Sequence, residues 1–585
     1  MGEAATNKVS EIQRPASEFP RRFLPDAIDL ADWEQINPYF QALLDREPGS
    51  VSELGKWLLD QSELIAALNE EGSRRYIAMT CATDDEEIKK EFLEFVELIE
   101  PKMKTRSNEL DKKFVKNPYL DDLDKKKYEV LKRDIINHLE IFREENVPLE
   151  TELTKLSQEY QSVQGAMMVN FKGRERTLQQ MAVFLEEPVR DIRKESWELV
   201  TGRRLQDADT LNELYDKMLG LRQQVAENAG FDNYIDFRFK ELGRFDYTPG
   251  DCLIFHDAVE KCVMPAYNDL LGKRRQSLGL DKLRPYDQAV DPCNRPPLKP
   301  FSDPEKLSAG CVRIFKKVDP ELGKIFERMT DDGLLDLASR KGKAPGGYQS
   351  TLEEVRLPFI FMNAVGLNRD VITLLHEGGH AFHSFASRQE PLVYYRHAPM
   401  EFCEVASMGM ELIACNYLEE FYNPADAARA LKKHLEDLLF IFPWIATIDA
   451  FQHWIYSNPG HSAEERTDCW LSLVARFGGD IDYSGYEDGL KISWQRQLHL
   501  FEVPFYYIEY GIAQIGALQI WRKAKSDLKK AILDYKAGLS LGGSRPLPEL
   551  FAAAGIKFDF SKETLKPLVE DVVAEIEELS KLEEA

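Results

Sequence analysis

None of the eight cysteines stands in a C-x-x-C pair; they are scattered at positions 81, 252, 262, 293, 311, 403, 415 and 469. That spread excludes a disulfide framework and fits reduced thiols, so the cytoplasm is the expected location. Basic charge is also short: 75 Lys and Arg stand against 100 Asp and Glu, for a net charge of -25. The excess acid reads either as solubility or as an acidic cleft that attracts cationic peptides, and a nucleic-acid partner is excluded for want of a basic face. No uninterrupted apolar run reaches the roughly 18 residues of a membrane span, so no membrane partner is expected. The opening stretch MGEAATNKVSEIQRPASEF lacks the apolar core of a signal peptide. Gly2 and Thr6 fit the loose myristoylation pattern, a six-residue match that often arises by chance. Internal repeats and low-complexity tracts are missing too.

What is present reads as mostly α. At 585 residues and 43% hydrophobic content, the chain is too long for one compact unit. The stretches DEEIKKEFLEFVELIEPKMKTRSNELDKKFV, DKKKYEVLKRDIINHLEIFREENV and LETELTKLSQEYQSVQGAMMV carry apolar residues at helical spacing between charges. MMVNFKGRERTLQQ breaks the pattern around Gly173 and suggests a small hairpin. From Tyr286 to Pro304, prolines at 292, 296, 297, 300 and 304 enforce a coil. LEEVRLPFIFMNAVG then suggests one or two strands, whose edge offers pairing to an extended ligand.

Just beyond those strands lies TLLHEGGHAFHSF, with three of the ten histidines. On a helix, His376 and His380 share a face as a natural pair of zinc ligands, and Glu377 lies one step round as a general base for hydrolysis. Gly378 and Gly379 cost helix stability, about 1 kcal/mol each relative to alanine. Either tight helix packing, or room for a substrate backbone or for the neighbouring ligand helix, explains them. A catalytic zinc needs a third protein ligand. His383 comes three residues after His380, too soon for a third histidine, and reads as packing. Downstream, Glu401 and Glu404 open another helix; spacing alone does not choose between them, though it leans to Glu401. Further on, QLHLFEVPFYYIEYG sets His499 before Tyr506, Tyr507 and Tyr510. A phenol O–H aimed at a developing oxyanion stabilises it without bringing charge, whereas tyrosines at helical spacing also serve as ordinary core residues.

HEGGHAFH followed by APMEFCEVASMGMEL resembles the M3 peptidase family, most closely its oligoendopeptidase F branch. The resemblance continues through GGYQSTLEEVRLPFIFMNAVG and HLFEVPFYYIEYGIAQIGALQIW. It implies a two-lobed helical metallopeptidase with a deep central channel and a small β-sheet beside the zinc helix. By the same resemblance, residues 1–190 form an N-terminal helical region and 191–585 the catalytic domain. It also implies one Zn2+ per chain, held by His376, His380 and Glu404. Glu377 becomes the base, Tyr510 and His499 the oxyanion partners and Tyr507 a substrate-binding residue. Met408 stands where many relatives place a carboxylate to orient a histidine, which leaves Glu411 as the candidate for that task. The expected activity is endopeptidase cleavage of short peptides, with oligomeric state left open. A carboxypeptidase or peptidyl-dipeptidase on this fold would need a basic residue to fix the substrate's free carboxylate, and the sequence points to none. A catalytically silent peptide-binding protein would have lost Glu377 or a ligand, and all are present.

Overall fold

A computed structural model of the chain describes residues 18–82, 85–340, 343–344 and 346–584. The opening stretch read for a signal peptide and for the Gly2/Thr6 pattern lies, up to residue 17, outside the described residues. Helices dominate. The chain divides into two compact units, each gathered from three separate stretches. Unit 1 comprises Met1–Leu139, Lys299–Ala430 and Gly516–Phe558; unit 2 comprises Glu140–Leu298, Leu431–Ile515 and Asp559–Ala585.

Ten helices frame the functional groups: α1 (Val51–Cys81), α2 (Asn146–Gly165), α3 (Arg190–Gln206), α4 (Ala208–Asn228), α5 (Pro304–Val318), α6 (Asn368–Ser387), α7 (Met400–Ala414), α8 (Pro424–Ser457), α9 (Tyr507–Ser526) and α10 (Leu528–Leu539).

In unit 1, α5 shows why these segments fold as they do. Asp303 caps its first turn, Pro304 fills the position where a missing N–H costs nothing, and Leu307, Cys311, Ile314, Phe315 and Val318 line one buried face. A three-stranded sheet of β3 (Leu335–Ala338), β4 (Tyr348–Leu352) and β5 (Leu357–Ala364) has the order β3-β5-β4, parallel between β3 and β5 and antiparallel between β5 and β4. As the central strand, β5 is buried along nearly its whole length, so its apolar run is continuous rather than alternating. It packs against α6, so the sheet does lie beside the histidine helix. The expected strands are found, and β3 is added to them; its four residues are too few to show a period.

In unit 2, the expected hairpin is present: β1 (Met168–Phe171) pairs antiparallel with β2 (Arg174–Thr177). Lys172 and Gly173 both take positive φ at the turn, as a two-residue primed turn requires. The proline-rich stretch after Asp287 is irregular, as its composition demands. Among the described residues α8 alone is long and apolar enough to cross a membrane by length and composition, and its apolar window is 72% buried, as in the core helix of a folded domain.

Candidate metal centre and an aromatic group

Helix α6 starts where Asp370 turns its carboxylate back to accept the N–H groups of Val365, Gly366 and Leu367 at 2.8, 2.9 and 2.9 Å. That cap fixes the register of the helix and brings His376 and His380 to one face, ring centroids 4.8 Å apart. The two glycines between them are settled by α5 and α7. A Cβ on Gly379 would sit 2.6 Å from the Cα of Ser407 and 2.7 Å from the carbonyl oxygen of Ala406; one on Gly378 would meet the Phe315 ring at 2.6 Å. Tight helix packing is therefore the reason for both. Close approach of α7 in turn delivers its carboxylates.

The third donor on α7 is Glu404. Its Oε2 lies 3.4 Å from His376 Nε2 and 3.8 Å from His380 Nε2. His376, His380 and Glu404 form a group whose donor atoms all fall within 4.8 Å of one another, and Glu401 is not in it. Ser407 Oγ donates to Glu404 Oε2 at 3.0 Å and steadies the carboxylate. Tyr535 of α10 donates to the Ala406 carbonyl at 2.8 Å and holds that turn of α7. Glu411, one turn further along α7, takes the Nδ1 of His376 at 2.5 Å, which leaves Nε2 facing Glu404. This is the orienting contact the sequence suggested for Glu411.

The electrostatics follow from burial. Desolvation alone would lower His376, but Glu411, then Glu404 and Glu377, push its imidazole up to about 10. His380, desolvated beside His376, falls well below the usual imidazole value. Burial, then the Glu404 and Glu411 charges, raise the Glu377 carboxyl to about 7 against the opposing pull of His376. Glu377 Oε2 is buried with no hydrogen-bond partner, and the backbone N–H of Gln349 on the edge strand β4 reaches the carboxylate. His383 stands apart from the group: burial, then the His397 charge, push it down to about 3, and its ring packs edge-on against Phe402. Two imidazole nitrogens and a carboxylate oxygen in convergence, one imidazole fixed by an outer carboxylate, fit a zinc ion by donor type and number.

The second group lies in unit 2, where α9 begins. His499, Tyr506, Tyr507 and Tyr510 form one aromatic cluster, with the His499 ring 4.9 Å from Tyr507 and 6.0 Å from Tyr510, and Tyr507 5.5 Å from Tyr510. Trp444 on α8 donates its Nε1 to Gln497 Oε1 at 3.0 Å, which assigns the amide; Gln497 Nε2 then donates to His499 Nδ1 at 2.7 Å. The hydrogen of a neutral His499 therefore sits on Nε2, and burial, which pushes the ring down to about 4, keeps it neutral. Behind the cluster, the buried Arg222 and Arg244 and the half-buried Arg238 hold the backbone of its loop. Arg222 donates to the carbonyls of Leu500, at 3.0 Å, and Phe501; Arg238 to that of Pro504 at 3.1 Å; Arg244 to that of Phe505 at 2.5 Å and to Glu509 at 2.8 Å. Phe505 sits at φ 65°, costly for a bulky residue, and Gln452 accepts its N–H at 2.6 Å. Sequence reading missed Ser407, Gln349, Gln497, Trp444 and the three arginines. No spacing rule ties them to the histidines; arginines that reach carbonyls more than two hundred residues away are visible only once the chain is folded.

A second group of metal-type donors, Cys252, Asp449 and His453, is buried in unit 2. Its carboxylate already meets His256 Nε2 at 2.8 Å and lies 3.3 Å from His453 Nε2.

A mostly helical protein with two imidazoles and a carboxylate in convergence, and a desolvated glutamate beside them, defines the class of metal-dependent hydrolases. The model of peptidase family M3 matches residues 183–570, and that of the M3 N-terminal domain matches residues 26–142. The chain belongs to peptidase family M3, in its oligoendopeptidase F branch. An oligoendopeptidase F homolog of Borreliella burgdorferi is 23% identical over 414 residues, 68% of this chain and 67% of that protein. Among solved structures, PZ peptidase A with an inhibitor superposes with a TM-score of 0.87 at 30% identity, covering 95% of this chain and 99% of that one. An oligoendopeptidase F structure gives 0.86 at 30% identity, covering 95% and 98%. The protein is thus a metalloendopeptidase that acts on oligopeptides.

Proposed function

We propose that one zinc ion per chain is held by His376 Nε2, His380 Nε2 and Glu404, and that Glu377 is the general base of peptide hydrolysis. The observation that carries this reading is the buried, unpartnered Oε2 of Glu377 beside the only His/His/Glu convergence of unit 1 among the described residues. Zinc held there supplies Lewis acidity, which polarises the scissile carbonyl and acidifies water. Glu377, raised to about 7, is matched to taking a proton from the attacking water near neutral pH and returning it to the leaving amine. Glu411 fixes the His376 ring, and Ser407 the Glu404 carboxylate. The edge strand β4 offers backbone groups to an extended peptide.

His499, neutral and with its hydrogen on Nε2, and Tyr510 serve as uncharged donors to the developing oxyanion, and Tyr507 as a substrate contact. The eight free cysteines support a reducing, cytoplasmic setting. Incubation with a peptide library of graded length, with cleavage sites mapped by mass spectrometry and zinc measured in the same sample, tests the reading. Internal cleavage of short peptides, abolished by a chelator and restored by zinc, is the expected result; cleavage that survives metal removal overturns it.

A further inference from the structure

We propose that a cavity within unit 2, flanked by Arg204 of α3 and by Arg496, is a subsite for a carboxylate of the bound peptide. The proposal rests on the peptidase reading and names a chemical class of substrate for it. The cavity measures about 710 Å³, room for several side chains, and Trp197, Trp444 and Tyr483 supply apolar wall.

Its charges are unusual for this molecule. In a chain with net charge -25, arginines mostly meet carboxylates: Arg190 and Arg193 share Asp287, and Arg284 meets Asp482. Arg274 also lines the cavity, but its guanidinium is taken up by the carbonyls of Asp287 and Val290. Asp437 lines it too, and is held by Lys433. Arg204 and Arg496 differ. Among the described residues Arg204 makes one side-chain hydrogen bond, to the neutral amide oxygen of Gln164 at 3.3 Å, and its charge also acts on the Tyr160 phenol. Arg496 lies over the Trp444 ring, 5.0 Å from its centroid. Neither has an acidic partner among the described residues. Burial, then the positive charge of Arg496, lowers the Arg204 guanidinium, as expected of neighbouring cations with no counterion between them.

Arg204 is half-buried and Arg496 exposed at the cavity's edge; an anion between them would offset the half-buried charge, and two guanidiniums match a carboxylate's paired oxygens. The place also suits a substrate. Trp444, whose face carries Arg496, is the residue that donates to Gln497, which in turn donates to His499. A peptide lying on His499 and Tyr507 therefore has this cavity as its neighbour within unit 2. A carboxylate can come from the peptide's C-terminus or from an Asp or Glu side chain.

The test uses the zinc-loaded full chain and one quenched fluorescent peptide in matched forms. These are the C-terminal amide, the free acid, and amides with Glu in place of Gln scanned along the sequence. Wild type is expected to favour at least one anionic form over its neutral partner by about tenfold in kcat/KM, the worth of a charge-assisted hydrogen bond. Arg204→Gln and Arg496→Gln should bring that ratio close to one, mainly through KM, and Arg496→Lys should keep part of it. Preference for the free acid assigns the C-terminal carboxylate; preference for one Glu position assigns a side chain. Equal treatment of charged and neutral peptides by wild type overturns the proposal, as does an unchanged ratio in both Gln variants. If wild type cleaves none of the peptides, the peptidase reading falls. Equilibrium binding of the same peptides to wild type and Arg204→Gln then decides the subsite separately.

Discussion

The candidate metal centre of unit 1 and the aromatic group of unit 2 follow opposite electrostatic plans. In unit 1, Glu377, Glu404 and Glu411 crowd two imidazoles in a desolvated site, where the glutamates raise His376 and His376 opposes the rise of Glu377 and Glu404. In unit 2, the groups proposed to act are neutral: a histidine kept uncharged by burial and the phenols of Tyr507 and Tyr510. The charge there sits behind them, on arginines that grip backbone carbonyls. The difference teaches what each task demands. A divalent cation needs anionic donors whose repulsion it relieves, so the centre without metal carries unfavourable crowding. A developing oxyanion needs donors held in place beforehand, and a neutral donor does this without attracting a competing counterion.

The comparison breaks most sharply at Glu404. Glu404→Gln should lose bound zinc and with it all measurable hydrolysis, while Glu401→Gln retains metal; atomic absorption on both variants reads this directly. Zinc lost from the Glu401 variant alone would move the third ligand back one turn. Next comes Glu377→Gln, expected to keep zinc and fold but to lower kcat by roughly a thousandfold or more, the upper part of what a general base contributes. Near-normal turnover in a zinc-loaded sample removes Glu377 from that role.

On the unit 2 side, Tyr510→Phe should lower kcat about a hundred- to a thousandfold with little change in KM, since an oxyanion donor acts in the transition state. Tyr507→Phe should raise KM instead, and Tyr506→Phe should do little; steady-state kinetics on one peptide separates the three. A large kcat loss in Tyr507→Phe alone would shift the oxyanion role one turn back. The smallest effect expected is on stability. Glycine to alanine inside a helix ordinarily gains about 1 kcal/mol, but at Gly379 the added Cβ meets the α7 backbone. Gly379→Ala should therefore cost about 1–3 kcal/mol, seen as a lower Tm and weaker zinc retention. A raised Tm would mean that α6 and α7 tolerate separation.

How much of this was legible beforehand differs between the two regions in the same way. His376, Glu377 and His380 share one helical turn, so their convergence is a matter of spacing. Glu404 against Glu401 was not, because spacing within α7 says nothing about which turn faces α6. The family resemblance pointed to Glu404, and the structure groups Glu404 with the histidines. The glycines looked equally suited to packing or to substrate until Ser407 and Phe315 were seen against them. In the aromatic group, the tyrosines were visible as a helical pattern, but the tautomer of His499 depends on Trp444, more than fifty residues away in sequence.

By itself, the sequence determined a mostly helical metallopeptidase with a two-histidine motif and its base, since helix periodicity and i, i+4 ligand spacing are local properties. Tertiary structure alone decided that three separated stretches make each unit, and that Trp444 and Gln497 set the tautomer of His499. It also brought Arg204 and Arg496 to one cavity, neither with an acidic partner among the described residues. The physical reason is that ion pairing and desolvation depend on what lies within a few ångströms, and in a chain of this length those neighbours are supplied by residues hundreds of positions apart.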